Sequence, residues 1–272
     1  MTKFHFVKIA LALLLATVAG ASPISQGDLA QARDADVVLL GEVHDNADHH
    51  DRQAAFVRAL SPAALVFEML STEQAAAVTP MLRTQPEALA EALQWTASGW
   101  PDFTMYAPIF AASGTAKIVG AAVPRSDARA AMASGIAAAF GDGAEAYGLT
   151  TPLPDEEQAR REAFQMAAHC DALPVAMLPM MVDIQRLRDA VLARGVITAL
   201  DSGARPVVVI TGNGHARRDG GVATYVLRVR PEVRIFALGQ SEEGRIDGTF
   251  DGIADSPAVE RDDPCAAFNK TD

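Results

Sequence analysis

Two short runs of β-branched and leucine residues each lead into a Gly-x-x-His sequence. Val37-Val38-Leu39-Leu40 is followed by Gly41-Glu42-Val43-His44, and Val207-Val208-Val209-Ile210-Thr211 by Gly212-Asn213-Gly214-His215. An apolar run without polar alternation, closed by glycine, reads as a strand buried on both faces, as in a parallel sheet. Titratable groups just past the carboxyl ends of such strands stand where open α/β sheets bind their ligands. The two segments therefore predict one site assembled from distant parts of the chain.

Three further runs, 64–69, 116–122 and 233–238, complete a set of five strands with 37–41 and 206–211. The intervening stretches are alanine-rich and helix-prone, which gives a βαβ alternation. The predicted fold is α/β: a layered, mostly parallel mixed sheet flanked by helices, with helical insertions at 71–95 and 126–194. The first helix after 37–41 is expected to be capped at Asp45 or Asn46 and to stop at Ser61-Pro62. Beyond Gly239 the chain is rich in Gly, Asp and Ser and reads as a loosely ordered tail.

Residues 1–21 read as a secretory leader. Lys3 and Lys8 flank a short apolar stretch, and Ala19-Gly20-Ala21 fits the small-residue cleavage pattern, with cleavage after Ala21. The stretch is about half of the ~20 residues a membrane span requires, so a retained anchor is the competing reading and a periplasmic domain over 22–272 the main one. Loss of the two lysines takes the formal charge from −11 to −13. Phosphate backbones and anionic membranes call for a basic face, which argues against nucleic acid as a partner. Cys170 and Cys265 form an even pair, and in an oxidising compartment a bridge would tie the tail to the body. The sequence leaves that pairing open.

Glu42 and His44 end the first buried strand, Glu68 ends the second, and His215 follows the fourth; these are the catalytic candidates. A carboxylate beside an imidazole can orient it, raise its basicity or share a metal with it, so His44 and His215 are also the metal-ligand candidates. Asp48, His49, His50 and Asp51 read instead as a solvated helix start, with acids at the positive end of the dipole. On 182–194, Gln185, Arg188 and Asp189 share a polar stripe opposite Ile184, Leu187 and Val191. That stripe is either solvated or a roof over the site. There is no Gly-x-Ser-x-Gly elbow, no His-Glu-x-x-His helix and no Walker loop, and Arg217 occupies the third glycine position of a dinucleotide fingerprint.

The chain resembles the ChaN-like haem-binding family, within the superfamily that also holds the Tiki proteases and erythromycin esterases. The resemblance runs through Leu40–Asn46 with His50, Phe67-Glu68, Trp100 through Tyr106-Ala107-Pro108, His169-Cys170 through Leu173-Pro174, Gln185 with Arg188-Asp189, and Gly212–Arg217 with Asp219, Gly221-Val222 and Tyr225. It implies an exported α/β protein that binds haem for iron uptake, with a homodimer as an analogy. The signal cysteine of lipid-anchored members is absent. In the wider superfamily two Gly-x-x-His motifs and a glutamate form a hydrolytic, sometimes metal-dependent centre; Gly41–His44 fits, and Gly212–His215 carries an additional glycine inside it.

Two uses of the site follow. A haem carrier needs an apolar slot, an axial ligand and cations for the propionates. Trp95, Trp100, Phe103, Tyr106 and the Met177–Met181 turn are the wall candidates; Tyr106, Tyr225, His44 and His215 are the ligand candidates; Arg188, Arg217 and Arg125 are the propionate partners. An esterase or peptidase would instead use Glu42, His44, Glu68 and His215 on water, with or without a divalent metal.

Overall fold

The computed structural model describes residues 24–263 and residue 265. The predicted leader lies outside them.

In chain order the elements are α1 (Gln26–Asp34), β1 (Val37–Leu40), α2 (Ala47–Leu60), β2 (Ala64–Phe67), α3 (Thr72–Ala77), α4 (Pro86–Ala92), α5 (Phe103–Ala112) and β3 (Lys117–Gly120). They continue with α6 (Arg125–Ser134), α7 (Ile136–Phe140), α8 (Asp155–Ala168), α9 (Leu178–Asp201), β4 (Val207–Ile210), α10 (Asn213–Ala216), α11 (Val222–Val229), β5 (Ile235–Glu242) and β6 (Gly252–Ser256). The five predicted strands all form.

The strands make one six-stranded sheet in the order β3-β2-β4-β1-β5-β6. Every pairing is parallel, so the sheet is not mixed. The chain beyond Gly239, read as loosely ordered, continues β5 through Glu242 and then adds the edge strand β6. Its polar sequence hid both, because an edge strand pairs through its backbone and needs no apolar run.

Side chains alternate across the central strands, as the two-residue period requires. Val37, Leu39, Val66, Val207 and Val209 pack into the core under α9 and α11. Val38, Leu40, Leu65, Phe67, Val208 and Ile210 pack into the core under α2 and α5. Both faces are dry, which is why these strands are apolar without interruption.

Register decides where the site falls. Phe67 of β2 and Leu40 of β1 both align with Ile210 of β4, which lies between them. The next residues, Glu68, Thr211 and Gly41, therefore leave the sheet side by side. Asn46 caps α2 as expected, its side chain accepting from the Asp48 amide. Cys170 and Cys265 are disulfide-bonded, with Cα atoms 5.5 Å apart. Among the described residues no helix is long and apolar enough to cross a membrane.

Candidate ligand cleft at the carboxyl edge of the sheet

Glycine makes the convergence possible. A Cβ on Gly212 would stand 3.0 Å from both Cε1 and Nε2 of His44, so only a bare backbone lets the two strand ends approach. Gly41 is equally confined, with the Asn213 carboxamide and the Leu238 carbonyl against it.

His44 points into a cleft of about 670 Å³ whose lining includes Glu68, Trp100, Arg125, Arg188 and His215. Its Nδ1 donates to Glu42 Oε1 at 2.7 Å, and the Trp100 ring meets it edge-on at 4.9 Å. Among the described residues no protein group bonds its Nε2. Burial disfavours the charged ring, but the Glu42 hydrogen bond and the Glu68 charge outweigh it and raise the His44 pKa.

Glu42 is fully buried behind His44 and serves as an anchor. Its Oε1 also accepts from the Tyr106 hydroxyl at 2.9 Å, and its Oε2 faces His50 Nδ1 at 3.4 Å. His50 Nε2 in turn donates to the His44 carbonyl at 2.8 Å. Tyr106 is therefore committed. It is wholly buried, and burial together with Glu42 pushes its hydroxyl pKa upward. Tyr106, a ligand candidate, thus donates its hydroxyl to Glu42 and is not among the residues that line the cleft.

A second buried set lies across the cleft. His215 Nδ1 donates to Asp189 Oδ1 at 2.7 Å, and the Gln185 amide nitrogen sits 3.0 Å from the same atom. His215 Nε2 faces Glu68 Oε1 at 3.4 Å. Glu68 Oε2 accepts from Thr211 Oγ1 at 2.7 Å and from the Gly212 amide at 2.9 Å. Burial opposes charge on His215, yet Glu68 and Asp189 override it and push its pKa to about 10. Burial would raise Glu68, but the His215 imidazolium outweighs it and holds the carboxyl well below its usual range. Both ring nitrogens of His215, a metal-ligand candidate, therefore face carboxylates.

Arg188 and Arg125 line the cleft, and neither has a carboxylate partner among the described residues. Two other candidates fall elsewhere. Arg217 forks onto Asp219 at 2.8 and 2.6 Å beside a separate cavity bounded by α8, α9 and the loop before β6. Tyr225 lies with Tyr147, Arg161 and Arg186 in a third hollow. Neither reaches the cleft, because the turn of α10 carries the chain away from the strand ends. Trp95 and Phe103 are core residues, and Met177 stands exposed ahead of α9.

His49 and His50 are fully buried rather than solvated. Phe56 and Val57 mark the core face of α2, and positions 49, 50, 52 and 53 lie on that same face by helical spacing. His49 accepts from the Val43 amide at 2.9 Å, which places its proton on Nε2, toward the Ser241 carbonyl 3.3 Å away. Burial drives the His49 pKa down to about 4. The unfolded chain, titrating near pH 6.5, takes up that proton first. The stability His49 protects is thus whole above about pH 6.5 and is lost, to roughly 3 kcal/mol, as pH falls toward 4. His49→Asn keeps an acceptor for Val43 and should flatten this acid loss in urea unfolding compared between about pH 7 and about pH 4.5. Equal acid losses in both proteins would refute it.

Among the described residues no group of three or more His, Cys, Asp or Glu is arranged to hold a metal ion. The family described as "Haem-binding uptake, Tiki superfamily, ChaN" matches residues 29–226. No curated protein matches the chain. A solved structure titled "Cofacial heme binding to ChaN of Campylobacter jejuni" shares the fold, at 19% identity and a TM-score of 0.65 over 86% of this chain and 93% of that one. The type III effector HopBA1 aligns at 12% identity and a TM-score of 0.48 over 90% of this chain and 100% of that one.

Proposed function

The chain belongs to the ChaN family of haem-binding uptake proteins in the Tiki superfamily, and from that membership we propose that it seats a haem in the cleft at the carboxyl edge of the sheet. The observation that carries this is His44: a half-exposed imidazole whose Nδ1 is fixed on a buried carboxylate and whose Nε2 is open to the cleft. A carboxylate behind an imidazole fixes tautomer and orientation and strengthens the outer nitrogen as a donor. Haem supplies an iron that takes an axial donor and two propionates that seek cations. Arg125 and Arg188 are the cations, through charge-assisted bonds. Trp100, Met69, Val123 and Leu192 offer apolar wall, and the cleft volume lies within the range of small-ligand sites. The family also supports export, with residues 1–21 as the leader that delivers the domain to the periplasm.

Hydrolysis is the less favoured use. Glu68 is already engaged by the Thr211 hydroxyl and the Gly212 amide and is ion-paired with His215, which is held protonated between two carboxylates. Neither is then disposed to take a proton from water.

Haem titration followed by the Soret band tests the reading. Saturable one-to-one binding is expected in the wild type. Glu42→Gln, which weakens the anchor without emptying it, should lower affinity by about 10–100-fold. Absence of saturable binding in the wild type would end the proposal.

A further inference from the structure

After β6 the chain does not leave the molecule. It crosses the carboxyl rim and fastens onto the segment that carries His44. Arg261 donates from Nε and Nη2 to the two Asp45 carboxylate oxygens, each at 2.6 Å. The same guanidinium donates to both oxygens of Glu242, at the end of β5, each at 2.7 Å. Asn46, the cap of α2, donates to Glu242 Oε1 at 2.7 Å and to the Pro257 carbonyl at 3.1 Å. One cation thus joins two carboxylates that would otherwise repel, and one of them is the neighbour of His44.

These contacts lie near the surface: the side chains of Arg261 and Asp45 are 30% and 42% exposed. Exposed ion pairs of this kind hold weakly on their own. Four residues beyond Arg261, Cys265 is bonded to Cys170 just past α8, a closure of 95 residues. Pinning the strand of chain on both sides of Arg261, at β6 and at Cys170, keeps the guanidinium at high effective concentration over Asp45.

We propose that residues 257–263, tied down by the Cys170–Cys265 bridge, form a strap in which Arg261 is a positioning residue for the His44 segment, and that reduction of that bridge loosens haem retention. This rests on His44 being the haem-facing group. The chemical step is thiol–disulfide exchange: a dithiol gives up two electrons and two protons, becomes a disulfide, and leaves Cys170 and Cys265 as thiols. The bound conformation of the 42–46 segment is then populated only part of the time, and apparent affinity falls by that fraction.

The test compares haem titrations of oxidised wild type, wild type reduced with dithiothreitol, Cys170→Ser/Cys265→Ser and Arg261→Gln. Hydrogen exchange of the amides at 42–46 is measured in the haem-free proteins. Reduction and either variant should raise the apparent Kd by about tenfold and speed exchange at 42–46, with Arg261→Lys recovering part of both. If the cysteine-free protein fails to fold, Arg261→Gln, with the bridge intact, decides alone. Unchanged Kd and unchanged exchange in reduced wild type and in Arg261→Gln would overturn the strap. Failure of oxidised wild type to bind haem would overturn the haem site instead, and faster exchange on reduction would still support the strap.

Discussion

His44→Ala should lose haem affinity by about a hundredfold or more, while the protein remains folded. The side chain is 36% exposed at the cleft edge, so truncating it leaves no sealed cavity in the core. It does remove the one imidazole nitrogen in the cleft that no protein group among the described residues engages. Glu42 keeps the Tyr106 hydroxyl as a donor, which holds the anchor in place. A Soret titration and a thermal melt on the same sample separate the two effects. Near-normal affinity in a folded His44→Ala protein would show that another group faces the iron.

The second large effect concerns stability. Asp189 is fully buried in α9 and accepts the Nδ1 proton of His215 at 2.7 Å, while its other oxygen has no hydrogen-bond partner among the described residues. Burial raises the Asp189 pKa and the His215 imidazolium opposes that rise. Asp189→Ala would leave a buried imidazolium with Glu68 alone, at 3.4 Å. Breaking a buried pair from one side costs about 3–5 kcal/mol, since the surviving charge is uncompensated. Urea denaturation at neutral pH should show that loss. Asp189→Asn, which still accepts a hydrogen bond, should show less. The same pair sets the alkaline limb: His215 is protonated up to about pH 10, so its contribution is full below the unfolded value of 6.5 and is lost as pH rises through 10. An Asp189→Ala protein as stable as wild type would contradict the charge assignment.

Much of this was legible in the residues. Largely apolar runs located five of the six strands, and the polar groups just beyond them located Glu42, His44, Glu68 and His215. Parallel registry then does the rest, because aligned strand ends deliver aligned side chains. What stayed hidden was partnership. The spacing placed Asp189 on a polar stripe of its helix but could not say that His215, 26 residues later, turns back onto it. Tyr106 resembled a ligand by type, and only its burial against Glu42 reveals an anchor. Arg217 and Tyr225 follow His215 closely in sequence, yet the short α10 turn takes them to other hollows. The edge strand and the strap carry no apolar signal. Their order comes from backbone pairing, one guanidinium and one disulfide, which pattern reading does not register.

The most direct measurement is electron paramagnetic resonance of the ferric haem complex prepared with nitrogen-15-labelled histidine. An imidazole on the iron gives a hyperfine coupling that changes with the label and disappears in His44→Ala. A spectrum insensitive to the label and unaltered by that substitution would place a non-histidine donor on the iron and contradict the account.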